Sequence, residues 1–221
     1  PCYAFGNHDQ SRIVSRHNAD GRGQERARAS ALLLLGLRST PFLYYGEEIG
    51  MADVPIPEHQ LRDPAQNIGR DPERTPMQWD GTAGRGFSLA EPWLPYGDAD
   101  ISVAAQTDDP DSILNLYRRA IRTRHAEASL TAGAYRELAA PARVFAFERS
   151  VEGARPVAVY CAHGHEISQG LVAAAGDDAS PRIDGHHVPR IGTAGHAQQG
   201  MPGGLRHRLH RELDGALVLC R

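Results

Sequence analysis

The chain has 221 residues, long enough to bury a sizeable core, with 24 basic and 27 acidic side chains and a formal net charge of -3. That balance gives no electrostatic case for nucleic acid or an anionic membrane, and no apolar run approaches the ~20 residues that span a bilayer. The first residues show neither a charged n-region nor an apolar leader, and Cys2, Cys161 and Cys220 lie far apart in no metal-ligand spacing, so a cytoplasmic protein with reduced thiols and no metal or cofactor is expected.

In chain order, residues 1–6 (PCYAFG) read as a short buried strand ending in a loop at Gly6. Gln24 to Arg38, rich in Ala, Leu and Arg, reads as a helix with one broad buried face. Thr40 to Tyr45 is a second buried strand, and Gly46 begins the next loop. From there to about Asp108 the chain is dotted with proline and glycine and shows no clean period; loops of that length usually serve a function. A helix is signalled at Asp109, with Asp109 as N-cap, Pro110 at the first helical position and Asp111 favouring the dipole. Its apolar stripe is Ile113, Leu114, Tyr117, Ala120 and Ile121, with Arg118, Arg119, Arg122 and Arg124 mostly on other faces.

Beyond about residue 130 the pattern alternates. Arg143 to Arg149, Pro156 to Ala162 and, weakly, Ala216 to Leu219 read as strands of a small antiparallel module. Asp177 to Arg211 is rich in His, Gly and Pro, which fits a divergent or disordered tail or a shifted reading frame. Its histidines (His186, His187, His196, His207, His210) show no tight ligand spacing.

Strand, loop, helix, strand, long loop, helix is the rhythm of two βα units, whose parallel strands display chemistry on the loops that follow them. Asn7-His8-Asp9-Gln10 follows the first strand directly and sets an imidazole beside a carboxylate, which suits catalysis or a hydrogen-bonded structural pair. Arg12 is close enough in sequence to hold that carboxylate ionised, or to form an ordinary surface ion pair. Tyr44 and Tyr45 precede the acids Glu47 and Glu48, a set suited to stacking and hydrogen bonding with a sugar, although one acid can equally be solvated. Further on, Gly69 to Asp80 (GRDPERTPMQWD) brings Arg70 and Arg74, whose forks grip carboxylates or hydroxyls, and Trp79, which offers a face to a pyranose or fills core.

Taken together, NHDQ at 7–10, TPFLYYGEEIGM at 40–51 and GRDPERTPMQWD at 69–80 resemble glycoside hydrolase family 13, specifically its α-glucosidase and oligo-1,6-glucosidase branch. The resemblance covers residues 1 to about 150. It implies an α/β fold, with residues 1–130 forming the last two βα units of an incomplete (β/α)8 TIM barrel and residues 131–221 a small antiparallel β-domain. It implies that Asp9 and His8 are catalytic-site residues, with Asp9 binding sugar hydroxyls and distorting the ring. It matches Arg70 to the arginine that holds the non-reducing end of the terminal glucose, with Arg12 and Arg74 as weaker substrate-binding candidates.

The family's aspartate nucleophile and glutamate acid/base stand on the fourth and fifth strands, which the resemblance places before residue 1. The expected function is therefore part of a retaining α-glucosidase acting on oligosaccharides or disaccharides, inactive without the missing N-terminal barrel segment of its parent. A transglycosylase or isomerase such as a trehalose synthase or sucrose-converting enzyme is the alternative on the same scaffold. A non-catalytic barrel, as in the heavy chains of amino-acid transporters, is a further one, disfavoured by the joint presence of His8, Asp9 and Arg70.

Overall fold

The computed structural model describes residues 1–63, 69–139 and 144–154, and the backbone of strands at 157–162, 170–174, 182–183, 186–187 and 217–220. The architecture is α/β, an incomplete, open barrel-like core followed in the chain by a distinct antiparallel sheet. The chain divides into two compact units, Pro1–Ala126 and Glu127–Arg221.

In the first unit, β1 (Cys2–Ala4) pairs in parallel with β2 (Thr40–Phe42), Cys2 opposite Thr40 and Ala4 opposite Phe42. Parallel neighbours need a crossover, and here it contains the short α1 (Ile13–Arg16) and the long α2 (Gly23–Gly36). The two strands read as buried from their apolar sequence, yet Tyr3 is 41% and Phe42 55% exposed. Two strands alone leave each other's outer edge open, where a closed barrel would flank both.

Helix α2 buries Ala27, Ala31, Leu32, Leu34 and Leu35. Its first turn is anchored by Asn18, whose Oδ1 accepts the Gly23 N–H at 2.9 Å. A side chain at Gly23 would collide with the Val14 carbonyl, so glycine permits the close approach of α1 to α2.

The last helix of this unit, α4 (Ile113–Ala126), buries Ile113, Leu114, Leu116, Tyr117 and Ala120 and packs on α2. It starts later than the sequence suggests. Asp109 spends its carboxylate on the Asp111 N–H at 2.9 Å in a local turn, and Ser112 caps the helix by accepting the Asn115 N–H at 3.2 Å. Arg124, expected on an outer face, is buried. Its guanidinium donates to the carbonyls of Leu35, Leu37 (3.1 Å) and Ser39 (2.5 Å), tying down acceptors in the last turn of α2 and just past its end.

Among its described residues the long loop has single 3-10 turns at Glu47–Ile49, Glu58–Gln60 and Asp71–Arg74 and one short helix, α3 (Val103–Thr107), capped by Ser102. A cluster of Ile49, Met51, Met77 and Leu114, with Ile101 and Val103 against it, fastens the loop to α4. Gln78, 1% exposed, adds polar ties by donating to the carbonyls of Asp98 (2.8 Å) and Ile101 (2.5 Å).

The second unit opens with α5 (Ala128–Thr131) and continues as a five-stranded antiparallel sheet. Its members are β3 (Ala134–Glu137), β4 (Val144–Ser150), β5 (Val157–Ala162), β6 (Gly170–Ala174) and β9 (Leu217–Cys220), adjacent in that order. Register is set by pairs such as Ala134 with Ser150, Phe145 with Cys161 and Leu171 with Leu219. A separate two-strand pairing joins β7 (Arg182–Ile183) to β8 (His186–His187). Phe147 is fully buried, and Arg149 beside it donates to the Gly133 carbonyl at 2.9 Å. His196, His207 and His210, and the question of a folded or frame-shifted tail, lie outside the described residues.

Candidate functional site

The loop after β1 is held in shape by its own side chains. Asn7 Oδ1 accepts the Asp9 N–H at 2.8 Å, and Asn7 bridges to Gln10, so Asp9 is displayed by a tight turn. Arg16 fastens the base of this turn by donating to the carbonyl of Phe5 (2.5 Å) and to Gln10 Oε1 (3.1 Å).

Four of the five residues singled out from sequence converge here. Asp9 Oδ1 accepts from Arg70 Nη1 at 2.8 Å and from Arg74 Nη2 at 3.1 Å, while His8 Nε2 stands 3.5 Å from the same oxygen. Arg74 Nε also donates to the His8 carbonyl at 2.8 Å. Both guanidiniums thus land on one carboxylate oxygen. Oδ2 takes no hydrogen bond among the described residues, and the side chain is 48% exposed. The hydrogen bond from Arg70 holds the Asp9 carboxyl below the usual carboxylate range against desolvation, helped by the charges of His8 and Arg70 and the bond from Arg74. The group is a fixed, ionised acceptor with a free oxygen.

Arg12 is placed elsewhere. It is 2% exposed and does not hold the Asp9 carboxylate ionised; Arg70 and Arg74 do that from the long loop. Arg12 Nη1 donates to the Tyr45 carbonyl at 2.6 Å, and its guanidinium lies over the rings of Tyr45 (4.8 Å) and Tyr44 (5.2 Å). Its backbone N–H donates to Asp53 Oδ1 at 2.8 Å, and Ser11 Oγ donates to the other Asp53 oxygen. Arg12 therefore joins the two loops from beneath.

The tyrosine pair is also structural in this arrangement. Tyr44 Oη donates to the Glu73 carbonyl at 3.3 Å and Tyr45 Oη to the Thr75 carbonyl at 2.9 Å, which positions the turn carrying Arg74. Glu47 is buried beneath the loop and Glu48 is half-buried. Trp79 is half exposed on a turn closed by its N–H to the Arg85 carbonyl at 2.8 Å.

One residue of the site escaped the sequence reading. Asp63 accepts Arg70 Nε at 2.7 Å and Nη2 at 2.8 Å, a two-pronged grip, and also the Arg70 backbone N–H at 2.9 Å. The signal for it was present: Arg-Asp-Pro occurs at 62–64 and again at 70–72. Among the described residues no group of three or more His, Cys, Asp or Glu is arranged to hold a metal ion, and no helix is long and apolar enough to cross a membrane.

Residues 2–133 match the family described as alpha amylase, catalytic domain. The chain is 40% identical over 158 residues to an oligo-1,6-glucosidase of Heyndrickxia coagulans, covering 59% of this chain and 28% of that protein. It is 42% identical over 142 residues to a probable alpha-glucosidase of Rhizobium meliloti, covering 60% of this chain and 26% of the relative. Among solved structures it resembles a mutant isomaltulose synthase from Erwinia rhapontici NX5 in complex with its natural substrate sucrose. That likeness has a TM-score of 0.64 and 30% identity and covers 77% of this chain and 35% of the other. The chain thus spans under a third of the length of these two curated relatives.

Proposed function

Because the chain belongs to the alpha-amylase family of catalytic domains, we propose that Pro1–Ala126 forms the glucose-gripping side of an active site that cleaves an α-glucosidic bond and passes the glucosyl group to water or to a sugar. The carrying observation is the convergence of Arg70 and Arg74 on Asp9 Oδ1, with Oδ2 left open. An ionised carboxylate held rigid in this way binds ring hydroxyls through its open oxygen. Its attraction grows as positive charge develops at the anomeric centre, so it stabilises the transition state more than the ground state. His8, beside the same oxygen, serves the same glucose, and Arg70 and Arg74 supply further donors to hydroxyls. Arg12 supports the loops and does not touch the sugar.

The nucleophile and acid/base belong in this reading to other strands of the parent barrel, a carboxylate pair about 5–5.5 Å apart in a retaining enzyme. Hydrolysis is the reading favoured by the glucosidases among the sequence relatives. Transfer or isomerisation of a disaccharide is favoured by the likeness to the isomaltulose synthase. The two differ only in which acceptor attacks the glucosyl intermediate. Incubating the full-length parent with sucrose, isomaltose and p-nitrophenyl α-glucoside separates them. Free glucose alone marks a hydrolase, new disaccharide linkages mark a transferase or isomerase, and no consumption of any of the three overturns the reading.

A further inference from the structure

We propose that Asp63 is a positioning residue that keeps Arg70 from closing over Asp9; the inference rests on the glucose-gripping reading above. A guanidinium has five N–H donors in a planar fork. Asp63 takes Nε and one N–H of Nη2, and its Oδ2 also accepts the Arg70 backbone N–H, so both the plane and the root of the side chain are fixed. The edge that would pair with a carboxylate through Nε and Nη2 is thereby occupied. Only Nη1 reaches Asp9, at 2.8 Å, and it lands on the oxygen that Arg74 already uses. One N–H on Nη1 and one on Nη2 remain for hydroxyls of a ligand.

Asp63 is itself built in. Its side chain is 6% exposed, and Asp71 Oδ2 accepts the backbone N–H groups of Arg62 (2.7 Å) and Asp63 (3.0 Å). The two Arg-Asp pairs, 62–63 and 70–71, therefore lock each other. Asp71 pins the first through its backbone, and Asp63 pins the arginine of the second. The four charges Asp63, Arg70, Asp9 and Arg74 also sum to zero. Without Asp63 this group is left with one net positive charge beside the sugar on which positive charge must develop. A released Arg70 can then grip Asp9 bidentately and cover Oδ2.

The test uses the full-length parent with p-nitrophenyl α-glucoside, comparing wild type, Asp63→Asn, Asp63→Glu, Arg70→Ala and each Asp63 variant combined with Arg70→Ala. The expected result for Asp63→Asn is a loss of about a hundredfold in kcat/KM that includes a rise in KM, which a smaller folded fraction cannot produce. Asp63→Glu, which keeps the charge, should lose less. Both effects should vanish in the Arg70→Ala background, because Asp63 acts through Arg70. If Asp63→Asn cannot be recovered folded, the Asp63→Glu pair carries the same comparison. Wild-type kinetics in the folded Asp63 variants, or an equal loss with and without Arg70, overturns the inference. If Arg70→Ala itself has wild-type kcat/KM, the glucose-gripping reading has failed; if Arg70→Ala is impaired and the Asp63 variants are not, only the role of Asp63 has.

Discussion

Replacing Glu47 by glutamine tests whether this buried acid makes the stability of the unit Pro1–Ala126 depend on pH. Glu47 is 6% exposed; Oε2 accepts the Tyr44 N–H at 3.3 Å, while Oε1 has no hydrogen-bond partner among the described residues. Burial pushes its pKa from 4.5 up to about 7, the Tyr44 N–H pulls it down, Glu48 adds to the rise, and Arg12 and Arg16 oppose it. Well below the unfolded pKa the acid is protonated in both states and contributes no pH dependence. Between the two values the folded protein keeps a proton that the unfolded chain releases. Stability therefore falls as pH rises through this window and levels off above the folded pKa. The shift corresponds to a loss of about 3 kcal/mol across the window, at ~1.4 kcal/mol per pKa unit. Glutamine keeps the size and removes the titration, so the variant lacks this decline. Paired urea unfolding of the full-length parent and its Glu47→Gln variant between about pH 5 and pH 8 reads the effect, since every other titrating group cancels in the difference. Parallel stability curves for the two proteins across that range would refute the reasoning.

Four other outcomes are expected. The purified 221-residue chain alone should not turn over p-nitrophenyl α-glucoside; detectable hydrolysis would show that the chain carries its own nucleophile. Asp9→Asn in the full-length parent should lower kcat by roughly a thousandfold with little change in unfolding midpoint, because the side chain is half exposed and, in the proposed reading, stabilises transition-state charge. Gly46→Ala should destabilise by about 1–3 kcal/mol in urea unfolding, since Gly46 has φ +86° and an added Cβ would lie 2.6 Å from Met51 Sδ and 2.8 Å from Arg12 Nη1. Arg124→Met should cost about 3 kcal/mol or more by the same assay, because the carbonyls of Leu35, Leu37 and Ser39 lose a charged donor.

The elements with strong local signals were legible from the residues. Gln24 to Arg38 reads as a helix because Ala and Leu dominate it, and α2 occupies Gly23–Gly36. The alternation in Arg143 to Arg149 likewise becomes β4. What failed were features on which competing local turns or distant packing decide. Asp109 has the chemistry of a cap, but its carboxylate closes a local turn and Ser112 takes the role. Arg124 looked like one more surface arginine, and only the approach of α4 to the end of α2 buries it. Within the candidate site, the motifs pointed to His8, Asp9, Arg70 and Arg74, which the fold brings together around Asp9 Oδ1. Arg12 was misplaced because nearness in sequence to Asp9 says nothing about which way the chain turns, and Asp63 was missed because its partner Arg70 lies seven residues on, across a loop without a period.

Every charge in the Asp9 network comes from within Pro1–Ala126: Asp9 on the first loop, and Asp63, Arg70 and Arg74 on the second. In the proposed reading, the grip on the sugar is consequently a portable cassette. Joined to the nucleophile-bearing portion of a different family member, this segment would carry its recognition of the terminal ring with it, while the choice of leaving group and acceptor would follow the other portion. In such chimaeras, affinity for the terminal ring and reaction outcome would be inherited separately.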